Sequence, residues 1–196
     1  LREAYLAAVY RAQVEGASLP LRVGEPAPAL DAARPAAPGA VATWTLVTAW
    51  NPQSCAQDAG VNATADAALQ AWLRARGLQA WPAVGGSADG QWEEHGWLVA
   101  GLEAATADAL ARRHDQAGIL HWPRGAPVRL RMYRERPPGN RTGWVDWVHR
   151  PRGGGRRAVP PPNAIPAGRR VRGSSIRQMW PATGAGRAPC VAGCAA

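Results

Sequence analysis

Along the first 134 residues the hydrophobic positions recur with two periods, one near 3.6 and one of two, and the switches between them mark out elements. Leu6, Val9, Tyr10 and Gln13 share one helical face between Leu1 and Gln13, with Arg2, Glu3 and Arg11 elsewhere, so a helix is predicted there and Gly16 ends it. SLPLRVG reads as a short edge strand, since Pro20 has no N–H for a ladder and is tolerated at a rim. Glu25 to Ala40, rich in Pro and Ala, is expected to be loop. Val41 to Trp50 is the strongest predicted strand. Trp44, Leu46, Thr48 and Trp50 fall on one side and Thr45, Val47 and Ala49 on the other, so both faces are partly apolar and a central, doubly covered strand is expected. Asn51-Pro52 stops it, because Pro52 cannot donate to a ladder and Asn51 favours a turn.

The helical period returns from Ala63 to Arg76, where Ala65, Ala68, Leu69, Trp72 and Leu73 form a stripe. Asn62 is the predicted N-cap and Gly77 the residue that ends the helix. LQAWPAVGG is read as a strand, SADGQ as a turn and GWLVAGL as another strand. A third helix is predicted over Ala107 to His114, capped by Thr106. A hairpin follows: GILHW, the turn PRGAP, then VRLRMY, in which Val128, Leu130 and Met132 alternate with a wet face of Arg129 and Arg131. Strand pairs joined by helices predict an α/β domain, a mixed α+β sheet with about three packed helices, over residues 1–134. A segment of that length can bury a self-sufficient core.

Composition changes the picture at the C-terminal end. The chain has 196 residues and a net charge of +9, and its 23 basic residues are all Arg. Residues 1–134 hold 12 Arg against 12 Asp and Glu, so the whole excess lies in residues 135–196, where 11 Arg face Glu135 and Asp146. That segment also contains 10 Gly and 9 Pro, with no helical or strand period, and is expected to be a disordered basic tail. A GC-rich gene, read through or read in a shifted frame, would yield such a composition. No apolar run is long enough to span a membrane, the start lacks a secretory layout, and the three cysteines show no disulfide framework, so a cytoplasmic protein is expected. The chain begins in mid-pattern without Met, and a few upstream residues are expected to be missing.

Several stretches carry a resemblance. TAWNPQS at 48–54, Asn62 opening a helix, WEEHGWLVAGL at 92–102, ALARRHDQAGIL at 109–120 and PVRL at 127–130 resemble a bacterial family known as domain of unknown function 3293. The resemblance covers about Leu1 to Arg131, and Thr-Ala-x-Asn-Pro-x-Ser is its most specific element. It implies that Asn51, Pro52, Ser54, Asn62, Glu94 and Gln116 fall on the family's recurring polar positions. The chain departs from the family pattern in CAQDAGV (55–61), which replaces a more basic stretch, and in His114-Asp115, where the family shows an aromatic-Gly pair. The family brings no established reaction.

Asn51 and Ser54 lie between a strand's C-terminal end and a helix start, a place where open sheets bind ligands and where turn residues also bond their own backbone. With Glu94, Asn62 and Gln116 they form the expected site, a polar pocket for a small polar or anionic ligand. The bland reading gives Glu93-Glu94 to a solvated turn and Gln116 to backbone bracing. Cys55 with His95, His114 or His121 could be drawn as a nucleophile and base, but no spacing specifies it. No His-x-x-x-His, Cys-x-x-Cys or phosphate-loop motif is present, so neither a metal nor a cofactor is expected. Trp144, Trp147 and Trp180 among the tail arginines offer an alternative, weak non-specific nucleic-acid binding, and an enzyme without a recognisable motif is a third reading. Oligomeric state is not specified.

Overall fold

The computed structural model describes residues 1–33, 43–139 and 143–149. They form an eight-stranded sheet with four α-helices: α1 Arg2–Ala7, β1 Val9–Val14, β2 Ala17–Leu21, α2 Pro28–Ala33, β3 Thr43–Val47, α3 Ala59–Ala75, β4 Ala80–Gly86, β5 Glu93–Ala100, α4 Ala104–Arg113, β6 Gly118–Pro123, β7 Leu130–Met132 and β8 Val145–Trp147. The strand order is β2-β1-β4-β5-β3-β6-β7-β8. Every neighbouring pair is antiparallel except β7 and β8, which run parallel. The predicted mixed α+β sheet with packed helices is the observed fold class.

β3 is an interior strand, as its two apolar faces require. It pairs with β5 through Val47↔Trp97 and with β6 through Trp44↔Trp122. Trp44 and Leu46 face a core shared with Leu98, Leu120, Trp122 and Leu30, against which Tyr5 and Leu6 of α1 pack. Val47 faces a second core with Val99, Ile119, Leu69 and Leu73 of α3, and Leu110 of α4.

Four expectations about the elements and their limits need correction here, and that of the Asn62 cap is corrected below. The first helix is shorter than Leu1 to Gln13: it ends at Ala7, Ala8 is extended, and residues 9–14 are strand. Tyr10, Ala12 and Val14 are buried and Arg11 and Gln13 exposed, so the period of two outweighed the helical one. What decides it is pairing on both sides, Val14↔Ala17 with β2 and Ala12↔Ala83 with β4. Glu15 and Gly16, both at positive φ, make the two-residue hairpin turn that the right-handed twist favours. The loop expected over Glu25 to Ala40 contains α2, which starts at Pro28, buries Leu30, and presents Asp31 to the Trp44 indole at 2.9 Å. α4 starts earlier than Thr106 allows, with Glu103 as N-cap. The preceding loop is pinned to β3 by Gly101 N–H to the Thr43 carbonyl and by Thr43 Oγ1 to the Leu102 carbonyl.

The fourth correction concerns the C-terminal edge. The sheet continues past Arg134, because Val145–Trp147 add β8 inside the segment expected to be tail. Arg129 donates twice to Asp146, and Arg131 donates twice to Asp108 on α4, both at hydrogen-bond distance. The face expected to be wet is thus an ion-paired one that holds β8 and α4 to β7. The expectations of a disordered tail and of nucleic-acid binding beyond residue 149 lie outside the described residues. Among those described, no helix is long and apolar enough to cross a membrane.

Candidate functional site

The exit of β3 is built to leave the sheet sharply. Its last partner pair is Val47↔Trp97, and a Cβ on the adjoining Gly96 would stand 2.5 Å from the Val47 carbonyl oxygen. The Thr48 hydroxyl then takes over from the ladder, donating to the His95 carbonyl at 2.6 Å and accepting from the Trp50 N–H at 2.9 Å. Asn51 (φ 47°), Gln53 (φ 55°) and Ser54 (φ 60°) all occupy the left-handed region around the short 3-10 turn Pro52–Ser54. Such residues cost on the order of 1–3 kcal/mol each unless the surroundings hold them, with Asn the cheapest.

The surroundings do hold them. Asn51 N–H donates to Asn62 Oδ1 (3.0 Å), and Asn51 Oδ1 accepts from Asn62 Nδ2 (2.9 Å) and from the Gln57 N–H (3.0 Å). Gln53 N–H donates to the Asp115 carbonyl (2.8 Å), and Gln53 Nε2 reaches Asp115 Oδ1 (2.8 Å). Gln116 Nε2 donates to the Trp50 carbonyl (2.9 Å). Asp115 is itself at φ 49°, in the left-handed region that favours glycine. Two left-handed turns, 51–54 and 114–116, are therefore locked against each other.

In front of this clamp lies a cleft of about 110 Å³, open to solvent, between α1, β4 and the start of β5. Tyr5, Tyr10, Ser54, Ser87, Trp92 and Glu94 supply its aromatic and polar walls, with Gly85 and Gly86 beneath. The Tyr5 hydroxyl is 3.1 Å from Ser54 Oγ, and the Tyr10 hydroxyl donates to the Tyr5 carbonyl at 3.0 Å. Trp92 Nε1 donates to Glu94 Oε1 at 3.1 Å. Burial pushes the Glu94 carboxyl up to about 7, against the opposing hydrogen bonds from Asn51 and Trp92. Burial also raises the Tyr5 hydroxyl, and the Glu94 charge raises it further. A side chain added at Gly85 would strike the Tyr10 ring at 2.9 Å, and one at Gly86 the Trp92 carbonyl at 2.5 Å. The cleft floor is therefore restricted to glycine at both positions.

All five residues singled out from the sequence fall in this region, in two layers. Ser54 and Glu94 line the cleft. Asn51, Asn62 and Gln116 stand behind it as braces, with the Asn51 amide close enough to Glu94 to lower its value. Asn62 is not the N-cap of α3: the helix begins at Ala59 after Asp58, and Asn62 sits one turn in, buried, with its amide turned to Asn51. The expected solvated turn at Glu93-Glu94 divides, with Glu93 exposed and Glu94 half-buried. Cys55 is the residue that closes the 3-10 turn, with its N–H on the Pro52 carbonyl. Of the histidines, His121 lies on the sheet face beside Arg131, with Nδ1 2.9 Å from Thr45 Oγ1. Among the described residues no group of three His, Cys, Asp or Glu side chains has the arrangement of a metal site.

Sequence reasoning missed Tyr5, Tyr10 and Trp92. The first two fall within one predicted helix, which hides that a helix and a strand bring them to the same cleft. Trp92 offered a signal: it is two residues from Glu94, the spacing that places side chains on one strand face.

A family model described as Protein of unknown function (DUF3293) matches residues 47–119. No curated protein and no solved structure matches the chain. The matched span runs from the end of β3 to the start of β6, and so contains both locked turns and all five residues singled out, while Tyr5 and Tyr10 precede it. Residues 47–119 of this chain thus carry the DUF3293 family model, the family that the sequence resembles.

Proposed function

We propose that this domain binds a small polar ligand in the cleft in front of the locked turns, with Glu94 and Ser54 in contact with it. One observation carries the proposal: a carboxyl that burial raises to about 7 sits in an open cleft, bonded by the Trp92 indole and with no ion-pair partner among the described residues. Half-buried acids kept without a counter-charge are costly, and they concentrate where a ligand is met. Asn51, Asn62 and Gln116 support the site indirectly by holding the strained turn that fixes Ser54 and Glu94. An anionic ligand is the less favoured form, since Glu94 faces the cleft and Asp58 stands at the start of α3. Ser54 bonds a tyrosine whose hydroxyl is raised, an arrangement that gives the serine no base, so we favour binding over acyl transfer. We infer a cytoplasmic setting as part of the same proposal, to be checked by fractionating cells that express the tagged full chain.

The test is a fragment screen by NMR on the full chain with 15N-labelled tryptophan, reading the Trp92 indole signal. Polar fragments should shift that signal, and Ala4→Trp, which fills the cleft mouth from the exposed side of α1, should abolish the shift. Hits that leave the Trp92 signal in place, or that bind Ala4→Trp unchanged, would sink the proposal.

A further inference from the structure

The chemistry of the cleft narrows the ligand class, and the following rests on the cleft being a binding site at all. Three aromatic side chains, Tyr5, Tyr10 and Trp92, line it together with the Glu94 carboxyl and the hydroxyls of Ser54 and Ser87. No Arg, Lys or His side chain is among its lining residues. Among the described residues no salt bridge reaches Glu94, although Arg124, Arg129 and Arg131 each pair with an aspartate elsewhere. Glu94 takes one bond from the Trp92 indole, and the Asn51 amide stands beside it. A carboxylate offers about four acceptor positions, so roughly two remain for a ligand. Aromatic faces attract a positive charge through the ring quadrupole, more strongly when the pair is shielded from water. A carboxylate, acceptor hydroxyls and aromatic walls, with the Arg134 guanidinium acting on Tyr5 only from outside the lining, are the complement of a positively charged donor group.

We propose that the cleft of Tyr5, Trp92 and Glu94 takes a small organic cation, with an ammonium or guanidinium head seated against the Glu94 carboxylate and a short aliphatic stem against the aromatic side chains. Glu94 supplies the counter-charge, Ser54 and Ser87 accept from the head's remaining N–H groups, and the glycine floor leaves room for it. The charge, rather than the stem, sets the selectivity: an alcohol of equal length loses the ion pair, and a carboxylate of equal length meets Glu94 as a like charge.

The experiment compares n-butylammonium, n-butylguanidinium, n-butanol and butyrate on the full chain, by titration of the Trp92 indole NMR signal in mildly alkaline buffer, where Glu94 is ionised. One or both cations should bind at least roughly tenfold more tightly than the alcohol, a difference of about 1.4 kcal/mol. Butyrate should bind most weakly. Glu94→Gln keeps the shape and the acceptor for Trp92, and it should bring the cations down to the affinity of the alcohol. If n-butanol shifts the Trp92 signal as strongly as the cations, or Glu94→Gln leaves cation affinity unchanged, the cleft remains a binding site but the cation assignment is wrong. If none of the four ligands moves the Trp92 signal, the cation assignment fails, and a blank fragment screen alongside it would remove the cleft proposal too.

Discussion

Glu94 gives the sharpest quantitative handle on the site. Its ordinary value is 4.5, and burial in the folded chain raises it to about 7. An acid whose folded value is raised favours the protonated form, so its contribution is fully present below about 4.5 and is lost as pH climbs through about 7. At 1.36 kcal/mol per pH unit, the separation between 4.5 and about 7 is worth about 3 kcal/mol, and water access at this half-buried position makes that an upper figure. Glu94→Gln imitates the neutral acid at every pH: it keeps an acceptor for Trp92 and Asn51 but cannot ionise. The measurement is urea unfolding of both proteins across the acid and neutral range. The absolute profile mixes several groups, including His114 and His121, whose values burial lowers. The difference between the two proteins isolates Glu94. It should be near zero at the acid end and should grow to at most about 3 kcal/mol in favour of Glu94→Gln above neutrality. Parallel profiles, or a variant that is less stable at alkaline pH, would refute the burial of this carboxyl and with it the electrostatics of the cleft.

Further outcomes follow from the packing. Gly96→Ala should cost about 3 kcal/mol in chemical denaturation, at the upper end of overpacking, because its Cβ meets the backbone oxygen of Val47. Gly60→Ala, in α3 with open space around it, should instead add about 0.5–1 kcal/mol. Asp108→Asn should lower stability by about 1–3 kcal/mol, since it removes the charge that takes two bonds from Arg131 and one from the Tyr133 hydroxyl. A chain ending at Arg134 should be less stable than one ending at His149 by about 2–4 kcal/mol in thermal or urea melts, having lost buried Val145 and the Asp146 partner of Arg129. Equal stability of the two would mean that β8 adds nothing to the sheet.

Local chemistry alone determined a good part of this molecule. β3 was legible because its two faces are both apolar, which only an interior strand can satisfy, and Asn51-Pro52 announced its end. Gly77 at φ 64° stops α3, and Pro20 sits on the rim strand, each for a reason held within one residue. The neighbourhood of Asn51, Ser54, Asn62, Glu94 and Gln116 was legible from the resemblance. Their division into a lining layer and a bracing layer was not, since hydrogen-bond partners 11 and 66 residues apart leave no local trace. Tertiary structure decided the rest. Val9 to Val14 satisfies both a helical and a strand period, and only pairing with β2 and β4 chooses between them. Asn62 has the chemistry of a cap, but the helix start is set upstream and its amide is claimed by Asn51. Arg129 and Arg131 look solvated in sequence until the fold brings Asp146 and Asp108 to them. The cleft is the clearest case: Tyr5, Ser54 and Glu94 are far apart along the chain, and the environment that gives them a common chemistry exists only once α1 has folded across the sheet.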